Sequence, residues 1–182
     1  KEIVLVTHAS KRAIEDHFDT HAELESQLRL RGKDKLLESI TGIIPDDVRI
    51  VAVRQGQPLG LGHAVLCARE VIGDEPFAVL LPDVLIDNGD AVGADLGNMI
   101  SRYEASSRGQ IMVTPVPSER VHLYGVVALS GDEPLSAGSA AITGLVEKPK
   151  AEHAPSNLSV VGRYILPPEI FTLLAQTAPG AG

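Results

Sequence analysis

The strongest constraint on this chain is the order of its patterns. Short apolar runs rich in Val, Ile and Leu are each followed by a polar or glycine-bearing turn, and then by a stretch with helical spacing. Runs this short and this β-branched suit strands better than buried helices. Ile3–Val6 ends in Thr7-His8-Ala9-Ser10, and residues 11–31 then set Ile14, Phe18, Leu24 and Leu28 near helical intervals. Residues 33–41 predict a second short helix, Pro45-Asp46-Asp47 a turn, and Val48–Val53 a strand. Gly60–Val71 predicts a helix with Ala64, Leu66, Cys67 and Ala68 on or near its buried side. Phe77–Leu81 is a continuous apolar run leading into Pro82-Asp83, the pattern of a buried parallel strand at its carboxyl end. Residues 95–107 predict a helix and Gln110–Thr114 a strand. Tyr124–Leu129, Ile142–Glu147 and Leu158–Leu166 predict further strands. A closing helix runs from Pro167 to about Gln176, with both prolines at its start. The linkers at 130–140 and 149–156 are rich in Gly, Ser, Ala and Pro.

This alternation predicts an α/β fold: a Rossmann-like, doubly wound, mostly parallel mixed sheet in three αβα layers, in one domain spanning 1–182, with a partly antiparallel section in the later strands. In such sheets ligands bind beyond the carboxyl ends of the strands, so the residues just after each strand are the first place to look for chemistry.

Composition narrows the function classes. With 44% hydrophobic and 22% charged residues, the chain reads as globular rather than disordered. No apolar run approaches the ~18 residues of a membrane span, and the first residues read as a bare strand rather than a signal peptide. A single cysteine, Cys67, excludes an internal disulfide and leaves too few thiols for a structural zinc site, which points to the reducing cytoplasm. A net charge of −8 argues against a nucleic-acid groove, although a nucleotide can still be held by Mg²⁺, a few lysines and backbone amides. The histidines show no metal-ligand spacing; His17 and His21 are separated by Asp19-Thr20, which reads as a helix break. No Ser-His-Asp or Cys-His arrangement is visible, and Cys67 reads as core.

Five segments carry candidate chemistry. The first, Arg54 to Val65, follows a strand and opens a helix, with glycines at 56, 60 and 62. Gln55 offers a donor and an acceptor together, which suits the edge of a pyrimidine. Val65 stands where the dinucleotide fingerprint needs its third glycine, and a tight turn with no ligand fits the spacing equally well. In the second segment Asp83 leaves a buried strand, where a carboxylate serves either as a Mg²⁺ ligand or as a turn cap. In the third, Glu147 suits sugar hydroxyls and Lys148 a phosphate. Neighbours on a strand point to opposite faces, so both reach one ligand only if the strand stops there, as Pro149 suggests. An exposed Glu–Lys pair is the simpler reading of that spacing. In the fourth, Gly125 inside a strand pattern marks either close approach or a bulge. In the fifth, Asn157 serves either a sugar hydroxyl or a loop cap. His63, near a helix start, reads as structural.

Taken together these segments resemble the bacterial UTP–glucose-1-phosphate uridylyltransferase family. Ile3-Val4-Leu5-Val6-Thr7-His8, His17-Phe18-Asp19, Val53-Arg54-Gln55-Gly56, Gly60 to Ala68, Leu81-Pro82-Asp83-Val84, Tyr124-Gly125-Val126-Val127, Val146-Glu147-Lys148-Pro149-Lys150 and Ala154-Pro155-Ser156-Asn157-Leu158 occur in family order over nearly the whole chain. The resemblance implies that Gln55 and Gly60 contact uracil and that Asp83 binds Mg²⁺. It places Gly125, Glu147, Asn157 and the backbone near Val160 around glucose, and pairs Lys148 with the sugar phosphate. The implied reaction joins UTP and glucose 1-phosphate into UDP-glucose and pyrophosphate, with Asp83 and Lys148 as the catalytic groups, in a cytoplasmic homo-oligomer with no nucleic-acid or membrane partner. A relative using dTTP or another sugar phosphate, and a non-catalytic sugar-nucleotide-binding module, are the alternatives. The family's opening strand, its Gly-x-Gly-Thr-Arg loop, the Lys and Pro-Lys positions after it and a later acidic metal ligand have no counterpart in 1–182. The expectation is therefore a central piece of the domain, shortened at both ends. As given it is inactive or nearly so and associates through an opened sheet edge, whereas the full-length parent is an enzyme.

Overall fold

The structure, a computed structural model, describes residues 1–131 and 138–178. The middle of the linker expected at 130–140 therefore lies outside the described residues. The described residues divide into two compact units, one built from residues 1–74 with 169–178, the other lying within residues 75–168.

In the first unit β1 (Glu2–Thr7) and β2 (Arg49–Arg54) pair in parallel, from Glu2 opposite Arg49 to Thr7 opposite Arg54. The helical stretch expected at 11–31 is broken into α1 (Arg12–His17) and α2 (Ala22–Leu30). Phe18 closes α1 by donating its N–H to Glu15, the Asp19 carboxylate takes the Thr20 N–H at 2.8 Å, and His21 turns back to the Asp16 carbonyl at 3.0 Å. His17 and His21 thus do not share a helix, as Asp19-Thr20 suggested. After α3 (Asp34–Thr41) and β2, the helix expected at 60–71 also divides, into α4 (Leu61–Cys67) and α5 (Arg69–Ile72). The ladder tightens at the join, where Ala68 N–H donates to Val65 at 3.0 Å, three residues back. Val65, Ala68 and Phe171 are buried in this unit. Gly62 lets α4 approach the closing helix at Ile170–Gln176 closely enough that a Cβ would sit 3.0 Å from Leu174 Cδ2.

The second unit is organised around one late strand. It contains β3 (Phe77–Leu80), α6 (Ala94–Ser106), β4 (Gln110–Pro115), a 3₁₀ turn at Ser118–Leu123, β5 (Gly125–Leu129), β6 (Ile142–Glu147) and β7 (Leu158–Leu166). The helix at Ile170–Gln176 is α7. β3, β4 and β5 all pair antiparallel with β7, so all three run in one direction; β6 then pairs antiparallel with β5. Tyr164 is opposite both Val79 and Ile111, and Ser159 opposite both Thr114 and Val126, which puts β4 on one edge of β7 and β3 and β5 end to end on the other. Val121, Val126 and Val127 form the fully buried centre, with Leu158, Ile165 and Met99 around them.

The α/β class and the presence of both parallel and antiparallel pairing are as expected; the balance of pairings, and their separation into a two-stranded parallel sheet and a five-stranded antiparallel one, are not. Among the described residues only β1 and β2 pair in parallel. Alternating strands and helices fix the order of elements and the common direction of β3, β4 and β5. They do not reveal that a nine-residue strand far along the chain inserts between them as their shared partner.

Candidate active site

Within the first unit the parallel pair ends at Thr7 and Arg54, and both ends are tied to α1. The Thr7 hydroxyl donates to the Glu15 carboxylate, whose other oxygen takes the Arg54 guanidinium at 3.3 Å. The Thr7 hydroxyl is the main cause holding the Glu15 carboxyl below the usual glutamate range; partial burial opposes it, and Arg54 and Arg12 reinforce it. The ladder then gains one more rung, Gln55 N–H to the Thr7 carbonyl at 2.8 Å, which fixes the backbone from which Gln55 projects.

The Gln55 amide nitrogen lies 3.1 Å from the Gly60 carbonyl and 2.9 Å from His63 Nδ1. Gly60 has a φ of 90°, a conformation side-chain-bearing residues rarely adopt, and this kink turns its carbonyl toward Gln55 just before α4 begins. The sequence suggested that Gln55 presents donor and acceptor together. The structure corrects this: the nitrogen is already engaged, and the oxygen is the group left to offer.

Within the second unit the sheet register collects the sugar-side candidates. Gly125 is opposite Glu147. A Cβ on Gly125 would sit 3.0 Å from Glu147 Oε2 and 3.9 Å from Val160 Cγ2, so the absent side chain is what leaves room for the carboxylate. Among the described residues no strand pairs with Val160 or Val161 on the edge between β5 and β3. β6 ends at Glu147, and Lys148 has a φ of 46°, the left-handed region. That single turn breaks the alternation of faces. It brings Lys148 Nζ to 3.5 Å from Glu147 Oε1, with both side chains largely exposed, and the Lys148 N–H bonds the Tyr124 carbonyl at 2.9 Å. A non-glycine residue held here is strained by about 1–2 kcal/mol, the kind of strain that collects at functional sites.

Asp83 stands exposed in the turn that follows β3. Arg163 holds both shoulders of that turn, donating to the Leu81 carbonyl at 3.0 Å and the Val84 carbonyl at 2.6 Å, and also to Gly162 at 3.0 Å. Nearby Asp87 instead accepts the Gly89 N–H at 2.8 Å, the local bond of a turn residue. Among the described residues no group of three His, Cys, Asp or Glu is arranged to hold a metal. A divalent ion at Asp83 would therefore take most of its oxygens from phosphate and water, which is how Mg²⁺ commonly binds beside nucleotides. Asn157 is exposed, and its side-chain nitrogen donates to the Val116 carbonyl at 3.3 Å, so part of its bonding capacity serves the loop.

Sequence reasoning passed over three residues that shape these groups: Glu15, His63 as the partner of Gln55, and Arg163. A cation inside the otherwise apolar run Leu158–Leu166 was the available signal for Arg163, since a partly buried guanidinium needs acceptors.

Residues 1–181 match the sequence model of the nucleotidyl transferase family. The chain belongs to the nucleotidyl transferase family. Within it, the chain is 53% identical over 183 residues to the UTP–glucose-1-phosphate uridylyltransferase of Escherichia coli K12, covering 100% of this chain and 60% of that protein. It is likewise 53% identical to the protein of the same name from Haemophilus influenzae, covering 62% of it. Among solved structures, a UTP-bound UGPase from Acinetobacter baumannii aligns with a TM-score of 0.89 at 50% identity, covering 98% of this chain and 62% of that one. The chain thus spans about 60% of the length of the curated relatives it matches. Among the described residues no helix is long and apolar enough to cross a membrane.

Proposed function

We propose that the full-length protein carrying this chain transfers a uridylyl group from UTP to glucose 1-phosphate. A phosphate oxygen of the sugar phosphate attacks the α-phosphorus of UTP. The bond from that phosphorus to the β-phosphate bridge breaks, and pyrophosphate leaves. Such a reaction needs positioning and charge neutralisation more than proton transfer.

The observation that carries the reading is the left-handed turn at Lys148, which presents an ammonium and the Glu147 carboxylate side by side next to Gly125. Glu147 then accepts from sugar hydroxyls while Lys148 offsets the sugar phosphate, and Asn157 and the backbone near Val160 complete the sugar contacts. Gln55 and Gly60 take the base. Asp83 holds a Mg²⁺ ion shared with the phosphates. The names of relatives matching the whole chain support uridylyl and glucose over other members of the family. The reading places the protein in the cytoplasm as an assembly of identical subunits, which sedimentation of the full-length protein measures.

The test is a substrate panel on the full-length protein with UTP, dTTP, CTP and ATP against glucose 1-phosphate. UTP is expected to exceed dTTP in kcat/KM by about tenfold or more, the usual scale for one methyl group in a pocket. Turnover with dTTP alone would assign the chain to a different branch of the family.

A further inference from the structure

We infer that His63 is a specificity-determining residue that restricts Gln55 to accepting a hydrogen bond from the base, and so excludes cytosine. This rests on the reading that Gln55 faces a pyrimidine.

A glutamine amide carries two N–H donors and one carbonyl acceptor. The Gly60 carbonyl, 3.1 Å from Gln55 Nε2, can only accept, so the nitrogen and not the oxygen must face it. That fixes the sense of the amide. The second amide N–H points to His63 Nδ1 at 2.9 Å. Nδ1 accepts only when the ring proton sits on Nε2, so the bond selects the neutral Nε2–H tautomer. Cys67 Sγ lies 3.9 Å from Nδ1 and 4.0 Å from Nε2, alongside the ring and in line with neither nitrogen. It does not displace Gln55 from Nδ1.

With both donors engaged, Oε1 is what remains for a ligand. An acceptor-only group matches the N3–H of uracil or thymine. Cytosine turns a lone pair toward it from the same ring position. Removing the His63 acceptor frees one amide N–H beside Oε1, and a donor–acceptor pair also complements the N3 lone pair and amino group of cytosine. His63 thus acts by denying the wrong base a partner as well as by shaping the right one.

The experiment compares kcat/KM for UTP and CTP in the full-length protein and its His63→Leu, His63→Asn and Gln55→Ala variants. His63→Leu is expected to lower the UTP:CTP ratio about tenfold, the scale of one mismatched hydrogen bond, and to do so mainly through KM. His63→Asn, whose Oδ1 accepts where Nδ1 did, keeps the ratio. If His63→Leu is insoluble, His63→Met serves the same comparison. Proportional loss on both nucleotides with an unchanged ratio overturns the inference and leaves His63 as helix packing alone. A ratio that falls in Gln55→Ala but not in His63→Leu also overturns it, while the base reading stands. A ratio unmoved by Gln55→Ala overturns the base reading itself.

Discussion

The two groups of candidate residues are built in opposite ways. The group around Gln55 closes on itself over a short stretch, through bonds to residues five and eight positions along the chain. The group around Glu147 and Asp83 exists only because the sheet brings distant segments together; the Arg163 bonds that hold the Asp83 turn span 79 and 82 residues. The first group is internally satisfied and offers one oxygen. The second is open, with an exposed ion pair on a strained backbone. On the proposed reading, a flat, neutral base meets a pre-set local clasp, whereas charged phosphate meets exposed charge that a ligand can replace or neutralise.

Lys148 gives the largest expected effect. Lys148→Ala should lower kcat/KM by about 10²–10³-fold, the scale of removing one preorganised charge from a transition state. Lys148→Gly should lose as much activity yet be no less stable, because glycine accepts the left-handed backbone freely. Melting curves and kinetics on both variants separate strain from charge. Activity retained in either variant would remove Lys148 from the chemistry and end the contrast between an open, charged group and a closed, neutral one.

Arg163 comes next. Arg163→Met removes the donor to the Val84 carbonyl and leaves the Leu81 carbonyl with only the long 3.4 Å bond from the Val84 N–H, and should cost about 2 kcal/mol of stability. It should also raise the Mg²⁺ concentration needed for half-maximal activity, because the Asp83 turn loosens. Arg163→Lys should rescue little, since a single ammonium cannot reproduce the planar fork that reaches both shoulders. Titration of activity with Mg²⁺ in the three proteins is the measurement. An unchanged requirement in Arg163→Met would show that the turn keeps its form without the distant strand, and the claim of long-range assembly would lose its best support.

This difference in construction also explains what the sequence revealed. The turn that carries Gln55 and Gly60 was legible because a strand end, a glycine and a helix start follow one another directly, and each has a local meaning. The strand limits Ile142–Glu147 and Leu158–Leu166 were legible from apolar runs alone and match the structure. The partners of β7 were not, because pairing is set by register between segments far apart in sequence. Lys148 shows the boundary between the two cases. Pro149 signalled that the strand stops, but no local pattern announces a lysine in the left-handed region. For the same reason Glu147 and Lys148 could not be placed on one side from spacing. The engagement of the Gln55 nitrogen by Gly60 and His63 has no signal in the sequence, because both bonds depend on how the turn folds back.

The smallest expected effect tests where the Glu147 charge points. Burial pushes the Tyr164 phenol above the usual tyrosine range, and the negative charge of Glu147 adds to that shift. On the same strand, a Val160 methyl group lies 3.9 Å from where a Gly125 Cβ would be, and Gly125 is opposite Glu147. A phenolate beside a carboxylate is disfavoured, so Glu147→Gln should ease ionisation and lower the Tyr164 pKa. The value should stay above the ordinary range, because burial, the larger cause, remains. In the 182-residue chain, Tyr103→Phe and Tyr124→Phe leave Tyr164 as the only phenol, and an ultraviolet titration then reads it directly. Lys148→Ala in the same background should raise the pKa slightly if the ammonium partly screens Glu147 from the phenol. A Tyr164 titration indifferent to Glu147→Gln would mean that the carboxylate turns away from β7 in solution. Glu147 would then be a surface charge, and the open group would shrink to Lys148 and Asp83.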